Sequence, residues 1–215
     1  GGSWFLNQMQ GHIGRFLALT SSHINAADAL FCGLGSHFLS NEQKPALLSR
    51  LTEQDWSASD EHNQDLVAAL LSDMTSSGAL PEAQIEPHLE TINAWMSGSD
   101  LIEIHERVAA WAGDDTWLSK AQNGLLQGSP LAAAWIFKQL NQSRDASLRE
   151  VIESELVLGC NIMRHPEFAE GVRALLVHKD RNPVWTYPNL LSVPDDVVDT
   201  FFVAPADMPA LGLPE

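Results

Sequence analysis

The chain has 215 residues, 45% of them hydrophobic, and carries 12 Lys+Arg against 28 Asp+Glu for a formal net charge of -16. A field of that sign excludes nucleic acid and anionic lipid as partners of the whole surface and leaves a polyanion only a local basic spot. The length suits one large domain or two small ones, and the composition is that of a folded chain, not a disordered one.

In chain order the punctuation is mostly helical. Ser3 is placed to cap Trp4 to Gln10, and Gly11 closes that segment. His12 to Thr20 follows, with Ile13, Phe16, Leu17 and Leu19 on one apolar face. Asn25 caps a short helix from Ala26 to Phe31, ended by Gly33. Apolar residues then alternate over Leu34 to Leu39, which predicts the one strand of the chain.

Helices resume at Glu42 to Gln54, with Pro45 in the first turn, and at Asp60 to Thr75, where Leu66, Leu70 and Met74 with Val67 and Leu71 form a stripe. Ser76-Ser77-Gly78 is a break. Glu86 to Met96 and Asp100 to Trp111 come next, the latter capped by Ser99, then Trp117 to Leu126, Pro130 to Leu140 behind Ser129, and Leu148 to Met163. His165-Pro166 forces a boundary before a helix over Glu167 to Val177. A stretch with Pro183, Pro188 and Pro194 is extended, Asp195 to Phe202 is helical, and Ala204 to Glu215 reads as a frayed tail.

The charge is uneven along this order. Residues 51–130 hold 14 acidic and two basic residues, whereas residues 131–189 balance at seven of each, and residues 190–215 hold five acids without a base. The middle block reads as a solvated acidic face. Cys32 and Cys160 are too few for a disulfide framework and read as reduced, buried thiols of an intracellular protein. No apolar run approaches the roughly 20 residues a membrane helix needs, and no membrane association is expected. Gly1-Gly2-Ser3 runs directly into Trp4-Phe5-Leu6 without an initiator Met, as though the chain began inside a longer protein.

No self-contained active site is visible. The eight histidines are spread singly, with no i, i+4 pair and no neighbouring Cys, so no metal is expected. No nucleophile elbow or phosphate loop occurs, and Gly33-Leu34-Gly35 lacks the third glycine of a dinucleotide fingerprint. Trp95, Trp111, Trp117 and Trp135 read as core, and Asp114-Asp115 and Asp195-Asp196 as acids where helices begin. The stretch from Arg164 to Trp185 is different. Phe168, Arg173, Lys179, Arg181 and Trp185 bring cations and aromatics together, suited either to an exposed helix with its exit loop or to an anion-binding edge.

Two blocks carry a resemblance. Gly1-Gly2-Ser3-Trp4-Phe5-Leu6, Gly11-His12-Ile13-Gly14-Arg15-Phe16-Leu17-Ala18-Leu19-Thr20, Ala27-Asp28 and Gly33-Leu34-Gly35-Ser36-His37-Phe38 resemble the middle of a crotonase-superfamily acyl-CoA enzyme. Glu155, Cys160-Asn161-Ile162-Met163-Arg164 and the run from Phe168 to Trp185 are similar to the closing segment of the 3-hydroxyisobutyryl-CoA hydrolase family within it. The resemblance spans roughly residues 1–193 and implies a mostly α chain, the C-terminal helical portion of a crotonase-like α/β fold. Its strand at about 34–39 would complete a sheet from an N-terminal half of the same protein.

By that resemblance the organisation is the end of the core at 1–40, a divergent acidic helical region at 41–128, closing helices at 129–193, and a short helix with tail at 194–215. The implied activity is thioester hydrolysis in valine degradation, with two backbone N–H groups holding the carbonyl and a Glu and an Asp serving the hydrolysis. Those groups all precede the position matching Gly1, so no catalytic residue is expected in this chain, which would be inactive alone. Gly1 and Gly2 would border the acyl pocket. Phe168 and Lys179 are the implied contacts to CoA, with Arg173 and Arg181 as alternates, although Arg173 is also placed to pair with Glu170. CoA belongs to the substrate, and no separate cofactor is implied. The partners implied are the N-terminal half and an acyl-CoA, a homo-oligomer is allowed, and the location is the cytoplasm in a bacterium or the mitochondrial matrix in a eukaryote. An enoyl-CoA hydratase or isomerase and a non-catalytic helical interaction module are the alternatives.

Overall fold

A computed structural model describes residues 1–75 and 80–208; the expected break at Ser76-Ser77-Gly78 and the end of the tail, 209–215, lie outside the described residues. The chain divides into two compact units, one made of residues 1–23 and 89–208 and the other of Ile24–His88.

In the first unit, α1 (Gly2–Asn7) and α2 (Ile13–Thr20) are followed by α6 (Leu89–Met96), α7 (Leu101–Ala109), α8 (Thr116–Gln127), α9 (Pro130–Gln142), α10 (Leu148–Arg164), α11 (Pro166–Val172) and α12 (Asp195–Thr200). The second holds α3 (Ala26–Phe31), α4 (Lys44–Thr52) and α5 (Asp60–Met74). Among the described residues no strand forms. The stretch Leu34 to Leu39, expected as a strand, is irregular chain here, since alternation yields a strand only where a partner satisfies its backbone groups.

Helix α2 is the centre of the first unit and packs on α1, α6, α8 and α9. Its Ile13 and Phe16 are fully buried, and Phe16 meets the rings of Trp117 and Trp95 at centroid distances of 5.3 and 6.3 Å. Trp95 in turn meets Trp111 edge-on at 5.5 Å. Two glycines permit this closeness. A Cβ on Gly14 would stand 1.9 Å from the Leu6 carbonyl oxygen, and one on Gly124 would stand 2.1 Å from that of Thr20. A second apolar cluster joins Leu131 and Trp135 of α9, Leu158 of α10, Val198 of α12 and Phe201.

The ends of several elements differ from expectation. Asp100, not Ser99, caps α7, accepting from the Ile102 N–H at 2.7 Å. The helix expected over Glu167 to Val177 is α11 followed by a π turn at Arg173–Val177, in which the His178 N–H donates to the Arg173 carbonyl at 2.8 Å. The helix expected to reach Phe202 stops at Thr200. The tail is not loose at its start, since Arg164 holds Asp207 through two hydrogen bonds of 2.9 and 3.1 Å.

In the second unit Asn25 and Asp28 form a reciprocal capping box on α3, as expected from Asn25. Asp28 is fully buried, and its Oδ1 also accepts from the N–H groups of Gln84 and Ile85 at 2.7 and 2.8 Å. Cys32 and Cys160 are free thiols and only half-buried. Every acid within residues 51–130 is exposed except Asp115, which caps α8.

Candidate functional site

Two regions of the first unit carry the expected site residues. One is the entry to α1. Ser3 does not cap this helix; it lies inside it and is buried, and no side chain caps Gly1. The acceptor comes from α10 instead. Glu155 Oε1 receives the Ser3 N–H at 2.7 Å and the Ser3 hydroxyl at 2.5 Å, while Oε2 receives the Gly2 N–H at 3.2 Å. Burial works to raise the pKa of this carboxyl, and the hydrogen bonds from Ser3 oppose it.

Behind Glu155 lies a buried polar cluster. The Gln139 amide nitrogen stands 3.1 Å from Ser3 Oγ and 2.9 Å from each of Ser143 Oγ and Ser154 Oγ. Two amide hydrogens serve three hydroxyl oxygens, and Gln139 Oε1 has no partner. Neither Gly1 nor Gly2 is demanded by a clash with backbone: a Cβ on Gly2 would meet only Glu155 Oε1, at 3.8 Å.

The other region is the exit from α11. Arg173 is fully engaged there. Its Nε and Nη2 donate to the two Glu170 carboxylate oxygens at 2.8 Å each, Nη1 donates to Asp180 Oδ2 at 2.6 Å, and Nη2 also reaches the Asn182 carbonyl at 3.0 Å. Glu170 in addition accepts the Val184 N–H at 2.6 Å, and Asp180 accepts that of Asn182 at 3.0 Å. The pKa of Glu170 is pulled down to about 2, chiefly by the Arg173 fork and then by the Val184 N–H, and that of Arg173 is raised by Glu170 and Asp180.

This network ties residues 178–184 back onto the helix and shows Arg173 as the strut of the loop. Lys179 and Arg181 flank Asp180 with positive φ angles of 57° and 53°, are exposed, and stay outside the network. Phe168 is 44% exposed on α11. Trp185 lies against Gly171 and donates its indole N–H to the Gln127 carbonyl at 3.1 Å. Glu167, read from the sequence only as the start of a helix, is buried and accepts the Thr186 N–H at 2.9 Å, which anchors the far end of the loop.

Glu155 and Gln139 were the residues whose roles sequence reasoning missed. A signal existed: Glu155 has no cation three or four places away on α10, and Gln139 interrupts an apolar face of α9. Among the described residues no group of three or more His, Cys, Asp or Glu is gathered to hold a metal, and no helix is long and apolar enough to cross a membrane.

The family model for enoyl-CoA hydratase/isomerase matches residues 1–202. The chain is 31% identical over 207 residues to the mitochondrial 3-hydroxyisobutyryl-CoA hydrolase of Xenopus tropicalis, a match covering 95% of this chain and 52% of that protein. The human mitochondrial protein of the same name is 29% identical over 206 residues, covering 94% and 51%. Among solved structures, an enoyl-CoA hydratase from Rhodobacter sphaeroides 2.4.1 superposes with a TM-score of 0.75 at 26% identity, covering 94% of this chain and 55% of that one. A carnitinyl-CoA dehydratase from Mycobacterium thermoresistibile shares the fold, with a TM-score of 0.78 at 22% identity over 96% and 55%. The chain thus spans about half the length of the relatives it matches. It belongs to the enoyl-CoA hydratase/isomerase family.

Proposed function

We propose that the chain is the C-terminal, mostly helical part of an acyl-CoA thioester hydrolase acting on 3-hydroxyisobutyryl-CoA, a reaction of valine degradation. The observation that carries this reading is the 31% identity to a 3-hydroxyisobutyryl-CoA hydrolase across 95% of the chain. In it, the carboxylates that serve hydrolysis lie in another part of the protein, and residues 1–215 alone are inactive. Gly1 and Gly2 border the acyl group, and the bare backbone there suits close approach of a thioester. Phe168 and Lys179 meet the nucleotide end of CoA, with Arg181 beside them; Arg173 holds the loop that presents them. The location in a eukaryote is the mitochondrial matrix, in keeping with the names of the relatives, and in a bacterium the cytoplasm.

A second reading, enoyl-CoA hydratase or isomerase, is favoured by the 26% identity to the Rhodobacter structure. Thiol release separates the two. The complete gene product should liberate free CoA from 3-hydroxyisobutyryl-CoA, and residues 1–215 alone should not. Turnover by residues 1–215, or hydration of an enoyl-CoA by the complete product without thiol release, would overturn the assignment.

A further inference from the structure

We propose that Glu155 is a positioning residue: its carboxylate holds the Gly1–Ser3 turn in place, and it acts on turnover through that turn without touching substrate. The consequence for catalysis rests on the reading of Gly1 and Gly2 as the border of the acyl pocket; the consequence for the turn does not.

Gly1 and Gly2 contribute no side chains, and α1 begins with no side-chain cap of its own. The chain reaches across 152 positions to supply one: both oxygens of Glu155 are used, on two backbone N–H groups and the Ser3 hydroxyl. A carboxylate accepts several N–H bonds at once, which fixes both the height of the turn and its rotation. Glu155 is held from behind, because Gln139, 4% exposed, joins Ser3 and Ser154, the residue before Glu155 on α10. The anchor is therefore built from three helices, α1, α9 and α10. Its rigidity matters because a misplacement on the order of 1 Å at a reacting centre costs roughly a hundredfold in rate.

The test compares Glu155→Gln, Glu155→Ala and Ser3→Ala in the complete gene product, with the exposed Glu153→Ala on the same helix as control. Hydrogen exchange of residues 1–7 is read beside kcat and KM for 3-hydroxyisobutyryl-CoA. Exchange at Gly2 and Ser3 should quicken at least about tenfold in E155A and less in E155Q, since an amide oxygen still accepts one bond. In the same order kcat should fall, by about ten- to a hundredfold in E155A, while KM changes little. E155Q and S3A should be non-additive in kcat, whereas E153A should leave both readouts unchanged. Unaltered exchange at residues 1–7 in both Glu155 variants, or a fall in kcat/KM that lies wholly in KM, overturns the proposal. A wild-type protein that releases no CoA from any acyl-CoA sinks the hydrolase reading and the catalytic consequence with it; the exchange measurement then still decides whether Glu155 holds the turn.

Discussion

Arg173 grips Glu170 with two parallel bonds of 2.8 Å, one turn apart on the same stretch of helix, and reaches beyond it to Asp180, His178 Nδ1 and the Asn182 carbonyl. A guanidinium is the one side chain whose fixed fork satisfies that set. Replacing it with Lys retains the charge and loses the fork. Arg173→Lys and Arg173→Ala should therefore both loosen residues 178–184, seen as faster proteolytic cleavage there while the rest of the chain stays resistant; equal resistance of R173K and wild type would show that charge alone holds the loop.

The same network sets a pH dependence. Glu170 titrates at about 2 in the folded chain, below its ordinary value of 4.5, so its contribution to stability is complete above about 4.5 and is lost as the pH falls toward 2. Asp180 is lowered too, chiefly by the Asn182 N–H and then by Arg173, and its contribution fades in the same direction. Carboxyl NMR should give Glu170 a midpoint near 2. A midpoint near 4.5 would mean the fork does not persist in solution.

Gly2 and Gly14 should respond oppositely to Ala. At Gly2 the new methyl meets only a carboxylate oxygen at 3.8 Å, so folding stability should hold while turnover by the complete gene product falls at least about tenfold. At Gly14 it meets the Leu6 backbone at 1.9 Å, and α1 must move off α2, destabilising by about 3 kcal/mol. Urea midpoints and activity together check both; a G2A protein that is as active as wild type removes the case for a bare backbone at the acyl end.

Asp28 is a structural acid. Asp28→Ala leaves the N–H groups of Asn25, Gln84 and Ile85 without their acceptor and should cost about 3–5 kcal/mol, felt within residues 24–88. Cleavage of that unit by a protease at concentrations the wild type withstands is the expected sign, and an unchanged digestion pattern would contradict it.

Lys179 and Arg181 are the cations outside the Arg173 network. If they meet the phosphates of CoA, Lys179→Ala and Arg181→Ala should raise KM, more so together, with little change in kcat, and the difference from wild type should shrink as salt is added. A loss confined to kcat would place these residues elsewhere in the reaction.

Most of the helices were legible in the sequence because their signals are local: Asn25 and Ser129 cap the helices that follow them, and the apolar stripe of α2 marks the centre of its unit. So was the gathering of Phe168, Lys179 and Arg181 on one short segment of an acidic chain. The strand at 34–39 could not be settled that way, since a strand is a property of two segments and alternation describes only one. Nor could the cap of α1, which the sequence assigns to Ser3 and the structure to Glu155, or the division of labour between Arg173 and its neighbours, where two nearby acids take up the guanidinium and leave Lys179 and Arg181 outside. Helix starts and charge composition depend on residues within a turn of each other, and the sequence by itself determines them. Which acceptor reaches which donor across 152 positions depends on the packing of α1, α9 and α10, and only the tertiary structure decides it.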